Sequence, residues 1–104
     1  MMAVEFSADH EWWVQNRVFA KIMAVMPDSS EQERTVKHRI AQGASIGYLD
    51  VRQLPDDLRT DVRSALVNAV SRLIEALEQT TRDAEAEDVL QHFRVLRAIA
   101  VAGS

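Results

Sequence analysis

Residues 11–26, EWWVQNRVFAKIMAVM, are too apolar for a helix that covers one core and faces water elsewhere. At about 100° per residue, Trp12, Phe19, Met23 and Met26 fall on one stripe. Val14, Val18, Ile22 and Val25 form a second stripe, and Trp13, Ala20 and Ala24 a third. Only His10, Arg17 and Lys21 make a coherent polar edge. A helix apolar nearly all round has to be buried on most sides, and a chain of 104 residues offers little interior. The surplus predicts a partner, either a second copy of the chain or another protein.

The remaining punctuation reads as helical throughout. Ser7 or Asp9 caps the first helix, which ends before Pro27 because the residue preceding a proline is pushed out of the α region. Ser30 and Glu33 form a capping box for a second, mostly charged helix from Glu31 to Gln42, with Gly43 as its C-terminal cap. Its candidates for burial are Val36, Ile40 and Ala41. Residues 43–54 (GASIGYLDVRQL) read as a loop, or a loop with one helical turn; a strand over 46–51 would lack a pairing partner. Pro55, Asp56 and Asp57 suit the start of a long third helix over 55–80.

That third helix carries two adjoining stripes. Leu58, Val62, Ala65, Ala69, Leu73 and Ala76 make a small-residue face, and Leu66, Val67, Val70, Ile74 and Leu77 a bulkier one. Thr81 or Asp83 caps a fourth helix that runs to Val101, with Ala86, Val89, Leu90, Phe93, Leu96 and Ala100 inward and Val95 and Ile99 opposite. Gly103 and Ser104 form a frayed end. The expected architecture is all-α: one domain over residues 1–104, a small bundle of about four helices, with a hairpin over 55–101 and the first helix packed across it. Two apolar faces remain, and a homodimer uses one of them, since closed two-fold dimers are the commonest oligomers.

Composition narrows the function classes. Twelve Lys and Arg against 16 Asp and Glu give a net charge of −4, without the dense basic patch that nucleic-acid binding requires. The absence of cysteine excludes a disulfide scaffold, thiol redox chemistry and Cys-based zinc sites. The N-terminal MMAVEFSADHEWW has no Lys or Arg before Arg17, unlike the basic start of a signal peptide. No apolar run reaches the roughly 20 residues of a bilayer span. The expected location is the cytoplasm, with no membrane partner.

Candidate chemistry is sparse. Gly43-Ala44-Ser45-Ile46-Gly47 matches G-x-S-x-G, but the nucleophile elbow needs a strand before the serine and a helix after it. Here a helix precedes it, so the match reads as a helix cap and turn. His10, His38 and His92 sit on three separate helices, and Asp88 with His92 reads as an i, i+4 pair rather than half of a metal site. Arg34, Lys37 and Arg39 are interleaved with Glu31 and Glu33, a poor footprint for DNA. The expectation is therefore no enzyme, no cofactor and no metal. A ligand site assembled from Tyr48, the three histidines and the GASIG loop is the competing reading.

Tandem Trp12-Trp13 is the strongest interaction signal, because aromatics dominate interface hot spots and on a helix the two rings diverge. Methionines at 23 and 26 add an adaptable surface. The expected partner face is Trp12, Trp13, Arg17, Phe19, Ile22, Met23 and Met26, and the expected dimer face is Leu66, Val70, Ile74 and Leu77. Such a chain works as a non-catalytic regulator that inhibits a partner protein, with an immunity protein or antitoxin as the alternative. The first helix (EWWVQNRVFAKIM) and the long helix (LPDDLRTDVRSALVNAVSRLIEAL) give a size and layout that resemble the small dimeric anti-activators of bacterial quorum sensing. The resemblance implies a LuxR-type transcription factor as partner and a competitive mechanism, in which an apolar helix face covers the receptor's own dimer surface. It carries no motif and assigns no functional residue.

Overall fold

In the computed structural model, which describes residues 1–80 and 83–102, the chain is mostly helical but opens with a β-hairpin. Strand β1 (Met2–Ser7) pairs antiparallel with β2 (His10–Val14). Helix α1 (Asn16–Val25) and helix α2 (Glu31–Ile46) follow, and then a short strand β3 (Tyr48–Asp50) returns to pair parallel with β1. A 3₁₀ turn (Val51–Gln53) leads into helix α3 (Asp56–Glu78), and helix α4 (Ala84–Ala102) completes the described chain. The sheet order is β2-β1-β3, which makes β1 the central strand.

The all-α expectation is thus corrected by a three-stranded mixed sheet. Its physical reason is a period of two that overlaps the helical one. Met2, Val4 and Phe6 alternate with Ala3, Glu5 and Ser7, and Trp12 and Val14 alternate with Glu11 and Trp13. In a strand, neighbouring side chains point to opposite faces, so tandem tryptophans need not share one core. Ser7 and His10 are paired across Ala8 and Asp9, and the Ser7 Oγ and His10 Nδ1 lie 2.6 Å apart. Ser7 and Asp9 therefore belong to a hairpin turn rather than to a helix cap. The register slips between Glu5 and Ser7, a bulge at Phe6, whose side chain remains buried.

Helix α1 is what remains of the long apolar stretch, and it ends one residue before Met26 and Pro27 as the proline dictates. The capping box on α2 forms as expected, with the Glu33 N–H donating to Ser30 Oγ (3.1 Å) and the Ser30 N–H to Glu33 Oε1 (3.0 Å). The Ser29 hydroxyl, which also donates to Glu33 Oε1 (2.9 Å), does most to hold the Glu33 carboxyl below its ordinary range, and the Ser30 N–H adds to it. Gly43 is not the cap: α2 continues to Ile46, and Gly47 closes it at φ 78°. Gly43 instead lets β3 approach the helix, since a Cβ there would stand 3.0 Å from both the Tyr48 carbonyl oxygen and the Leu49 Cβ. The strand over 48–50 finds in β1 the pairing partner that the sequence had not supplied.

Helices α3 and α4 pack along each other, with α1 against α3 and α4 against β2. The Asp83 Oδ1 accepts the Ala86 N–H (2.8 Å) at the start of α4. The alternative cap Thr81, and the frayed end expected at Gly103 and Ser104, lie outside the described residues. One core unites the inner face of the sheet with all four helices: Val4, Phe6, Trp12 and Leu49 meet Phe19, Ile22, Ile40, Leu66, Ile74, Leu90, Phe93 and Leu96. Arg59 fastens the 3₁₀ turn to α3, donating through Nη2 to the carbonyls of Arg52 and Leu54 (both 3.1 Å).

Candidate functional site

The inner face of the sheet is spent on the core, whereas the outer face carries the exposed aromatics Trp13 and Tyr48. Cross-strand registers place two rows of side chains there. Trp13, Ala3 and Tyr48 form the first row, and Glu11, Glu5 and Asp50 the second. Strands lie about 4.8 Å apart and alternate residues about 7 Å along a strand, so each row spans roughly 10 Å. Trp13 is 53% exposed and Tyr48 40%, while Ala3 between them is 1% exposed. The three residues in register make one apolar strip.

Two further exposed apolar residues adjoin the strip. Ile46 (77% exposed) and Met1 (66%) flank the Gly47 turn, where the Ala3 N–H donates to the Gly47 carbonyl (3.0 Å). Among the described residues, six large hydrophobics are exposed: these four, with Val95 and Val101 of α4. Scattered surface hydrophobics need no explanation, but a grouped set marks an interaction surface.

The acidic row is partly neutralised from within. Arg52 reaches back from the 3₁₀ turn, its Nη2 to Glu5 Oε1 (2.8 Å) and its Nε to Asp50 Oδ1 (3.1 Å). The hydrogen bond from Arg52 is the main cause holding the Asp50 carboxyl below its usual range, and Asp50 in turn pushes the Arg52 guanidinium up. The Tyr48 hydroxyl donates to Glu5 Oε2, and chiefly for that reason its ionisation is pushed up to about 12. The Trp13 Nε1–H donates to Glu11 Oε1 (2.6 Å). The polar ends of both aromatics thus point toward the carboxylates, and their carbon surfaces remain in water.

Of the residues expected at a partner face, the structure brings only Trp13 to this surface. Trp12, Phe19, Ile22 and Met26 are buried in the single chain, and Met23 is half-buried against the core. The surface they were expected to present is spent on the chain's own interior. Arg17 is exposed but bonds the Gln15 side chain (2.7 Å) and Glu85 of α4 (3.1 Å). Leu66, Val70 and Ile74, expected at a dimer face, are likewise core residues, and Leu77 packs partly against them. The packing around α3 provides the reason: α4, α1 and α2 all lie against it. Ala3, Glu5, Glu11, Asp50 and Arg52 were not singled out from the sequence, and only the period of two in residues 2–7 hinted at the strand that places Ala3 and Glu5.

Elsewhere the chemistry is local. Ser45 of the G-x-S-x-G match sits in the last turn of α2 and donates its hydroxyl to the Gln42 carbonyl (2.8 Å). His38 lies 3.3 Å from the Gln42 amide and His92 3.6 Å from Asp88, each within its own helix. Among the described residues, no three His, Asp or Glu side chains gather as metal ligands. The described surface includes an open groove of about 700 Å³ between α2 and α3, crossed by the Gln32–Asp61 hydrogen bond (2.6 Å). Another, about 590 Å³, has an apolar floor of Ala24, Leu73, Leu77 and Phe93 between α1, α3 and α4. No helix among the described residues is long and apolar enough to cross a membrane. No family model, no curated protein and no solved structure matches this chain.

Proposed function

We propose that the chain is a cytoplasmic interaction module that works by occupying the surface of another protein, and that the open face of its sheet is the contact. The observation that carries this reading is the Trp13–Ala3–Tyr48 strip, two half-exposed aromatics held in register on a rigid element. Large amphipathic rings supply much contact area with few rotatable bonds, which is why they dominate interface hot spots. Inhibition of the partner follows by coverage and needs no reaction at the surface. The likeness to quorum-sensing anti-activators drew on the first helix and the long helix; the long helix forms as α3, but the first is interrupted by the strand at Trp12 and Trp13, and a LuxR-type partner is not carried further.

A photo-crosslinking side chain placed at position 13 or at position 48 tests the reading, with position 97 on α4 as an exposed control. The expected result is one discrete adduct shared by positions 13 and 48 and absent from 97. The same adducts at all three positions, or none at any, would overturn it. An adduct of twice the chain's own mass would make the partner a second copy.

A further inference from the structure

The open sheet face also indicates what kind of partner surface fits it. Beside the apolar strip runs a row of three carboxylates, Glu11, Glu5 and Asp50, answered by one cation, Arg52. The face is therefore aromatic along one row and net negative along the next, on a chain whose own charge is −4. Complementary charge steers encounters and rejects acidic partners, so the occupant is basic. Arg52 indicates which basic group the row accommodates: its guanidinium bonds Glu5 and Asp50 through separate N–H groups held in one plane, a pre-organised geometry that the freely rotating ammonium of lysine lacks. Among the described residues, no cation is paired with Glu11, at the other end of the row beside Trp13.

We propose that the face binds an arginine-bearing basic segment of a partner protein, with the arginine stem along the exposed Trp13 ring and its guanidinium against Glu11. The rows are about 7 Å apart along the strands, a distance an arginine side chain spans. Stacking on the exposed Trp13 ring adds a cation–π contribution, and the Glu11 carboxylate adds charge-assisted hydrogen bonds. This rests on the interaction reading above and goes beyond it by naming the partner's chemistry.

The chain's two tryptophans supply a test with an internal control. The indole N–H of Trp12 donates to the His92 carbonyl inside the core (2.9 Å), whereas that of Trp13 bonds Glu11 at the surface. In nitrogen–proton correlation spectra of the full chain, a short peptide alternating arginine and serine is expected to move the Trp13 indole signal saturably and leave the Trp12 signal in place. The lysine analogue should bind several-fold more weakly, and the glutamate analogue should leave the signal unmoved. Glu11→Gln, at an exposed position, should weaken the arginine peptide about fivefold, with the Trp12 signal confirming an intact core. Raising the salt concentration should weaken it as well.

An unmoved Trp13 signal, an equal response to the glutamate or lysine peptide, or an unchanged affinity in Glu11→Gln would each overturn the proposal. If the arginine peptide fails while position 13 still crosslinks a discrete partner, the arginine assignment falls and the interaction surface stands. If both fail, both fall. A Trp13 signal that shifts on simple dilution of the chain would assign the face to a second copy instead.

Discussion

Trp12 and Trp13 are neighbours in the chain, yet they live on opposite faces of one strand and do different work. The Trp12 indole is 2% exposed, packs 6.3 Å from the Phe19 ring and donates its N–H to the His92 carbonyl of α4, 80 residues away in the chain. Trp13 is 53% exposed, and its hydrogen bond is to Glu11, two residues away. The inner residue joins distant segments; the outer one touches little that the fold requires. The same side chain is therefore a stability determinant on one face and a recognition element on the other. Trp12→Ala is expected to cost about 3–5 kcal/mol, the range for deleting a large buried aromatic. Trp13→Ala should stay within about 0.5 kcal/mol, as for surface positions generally. Denaturant unfolding followed by circular dichroism measures both. Equal costs would break the comparison, because a helix would set the two rings only about 100° apart and leave both partly buried.

The outer face depends on β3, and β3 depends on a single left-handed residue. Gly47 at φ 78° turns the chain from α2 into the strand, and a Cβ on it would stand 3.0 Å from the Met1 carbonyl oxygen. Gly47→Ala is expected to cost about 1–2 kcal/mol for the left-handed conformation alone, with further displacement at the Met1 contact. The effect should be uneven. Tyr48 and Asp50 lose their register against Ala3 and Glu5, while the Trp12 indole signal keeps its position. If Gly47→Ala shifts Trp12 and Trp13 alike, the two faces are coupled more tightly than their contacts indicate.

The two faces were also unequally legible. The helical half could be read because its signals are local: Ser30 with Glu33, Pro27 and Pro55 as boundaries, and the inward residues of α4 all act within a few residues of themselves. The sheet could not, because its decisive partner is distant. Strand β3 is three residues long and pairs with β1 more than 40 positions earlier, and nothing within GASIGYLD announces that pairing. Residues 11–26 obeyed two periods at once, and the helical one covered more of them. Trp13 was found because it is aromatic; Glu5, Asp50 and Arg52 were not, because a charged residue gains meaning only when its neighbours across the sheet are known.

A smaller effect separates the acidic row from the apolar one. Arg52 holds the Asp50 carboxyl below its ordinary value, so this contact contributes stability above the unfolded carboxylate value and loses it as pH falls through the lowered one. Arg52→Ala should reduce stability at neutral pH, where Glu5 and Asp50 are left facing each other, and should make the loss on acidification shallower. Urea unfolding at neutral pH and again below the carboxylate range measures both. An acid limb as steep as the wild type's would show that the row's pH response comes from elsewhere.

The finest test lies at Tyr48, the chain's only tyrosine, so phenolate absorbance reports this one hydroxyl. Its ionisation is pushed from 10.0 to about 12, mainly because the hydroxyl donates to Glu5 and secondarily because it is desolvated and lies near Asp50. A raised value on a group that is neutral when protonated means the contact stabilises the fold fully below the unfolded value. That contribution is lost as pH rises through the folded one, here between 10.0 and about 12. Titration with circular dichroism recorded alongside should therefore show phenolate appearing near 12 while the fold persists. Glu5→Gln should bring it back toward 10.0, since an amide cannot favour the protonated phenol as a carboxylate does. Wild type and Glu5→Gln titrating together would mean that Tyr48 does not lean on Glu5, and the outer face would then lack the bond that joins its aromatic row to its acidic one.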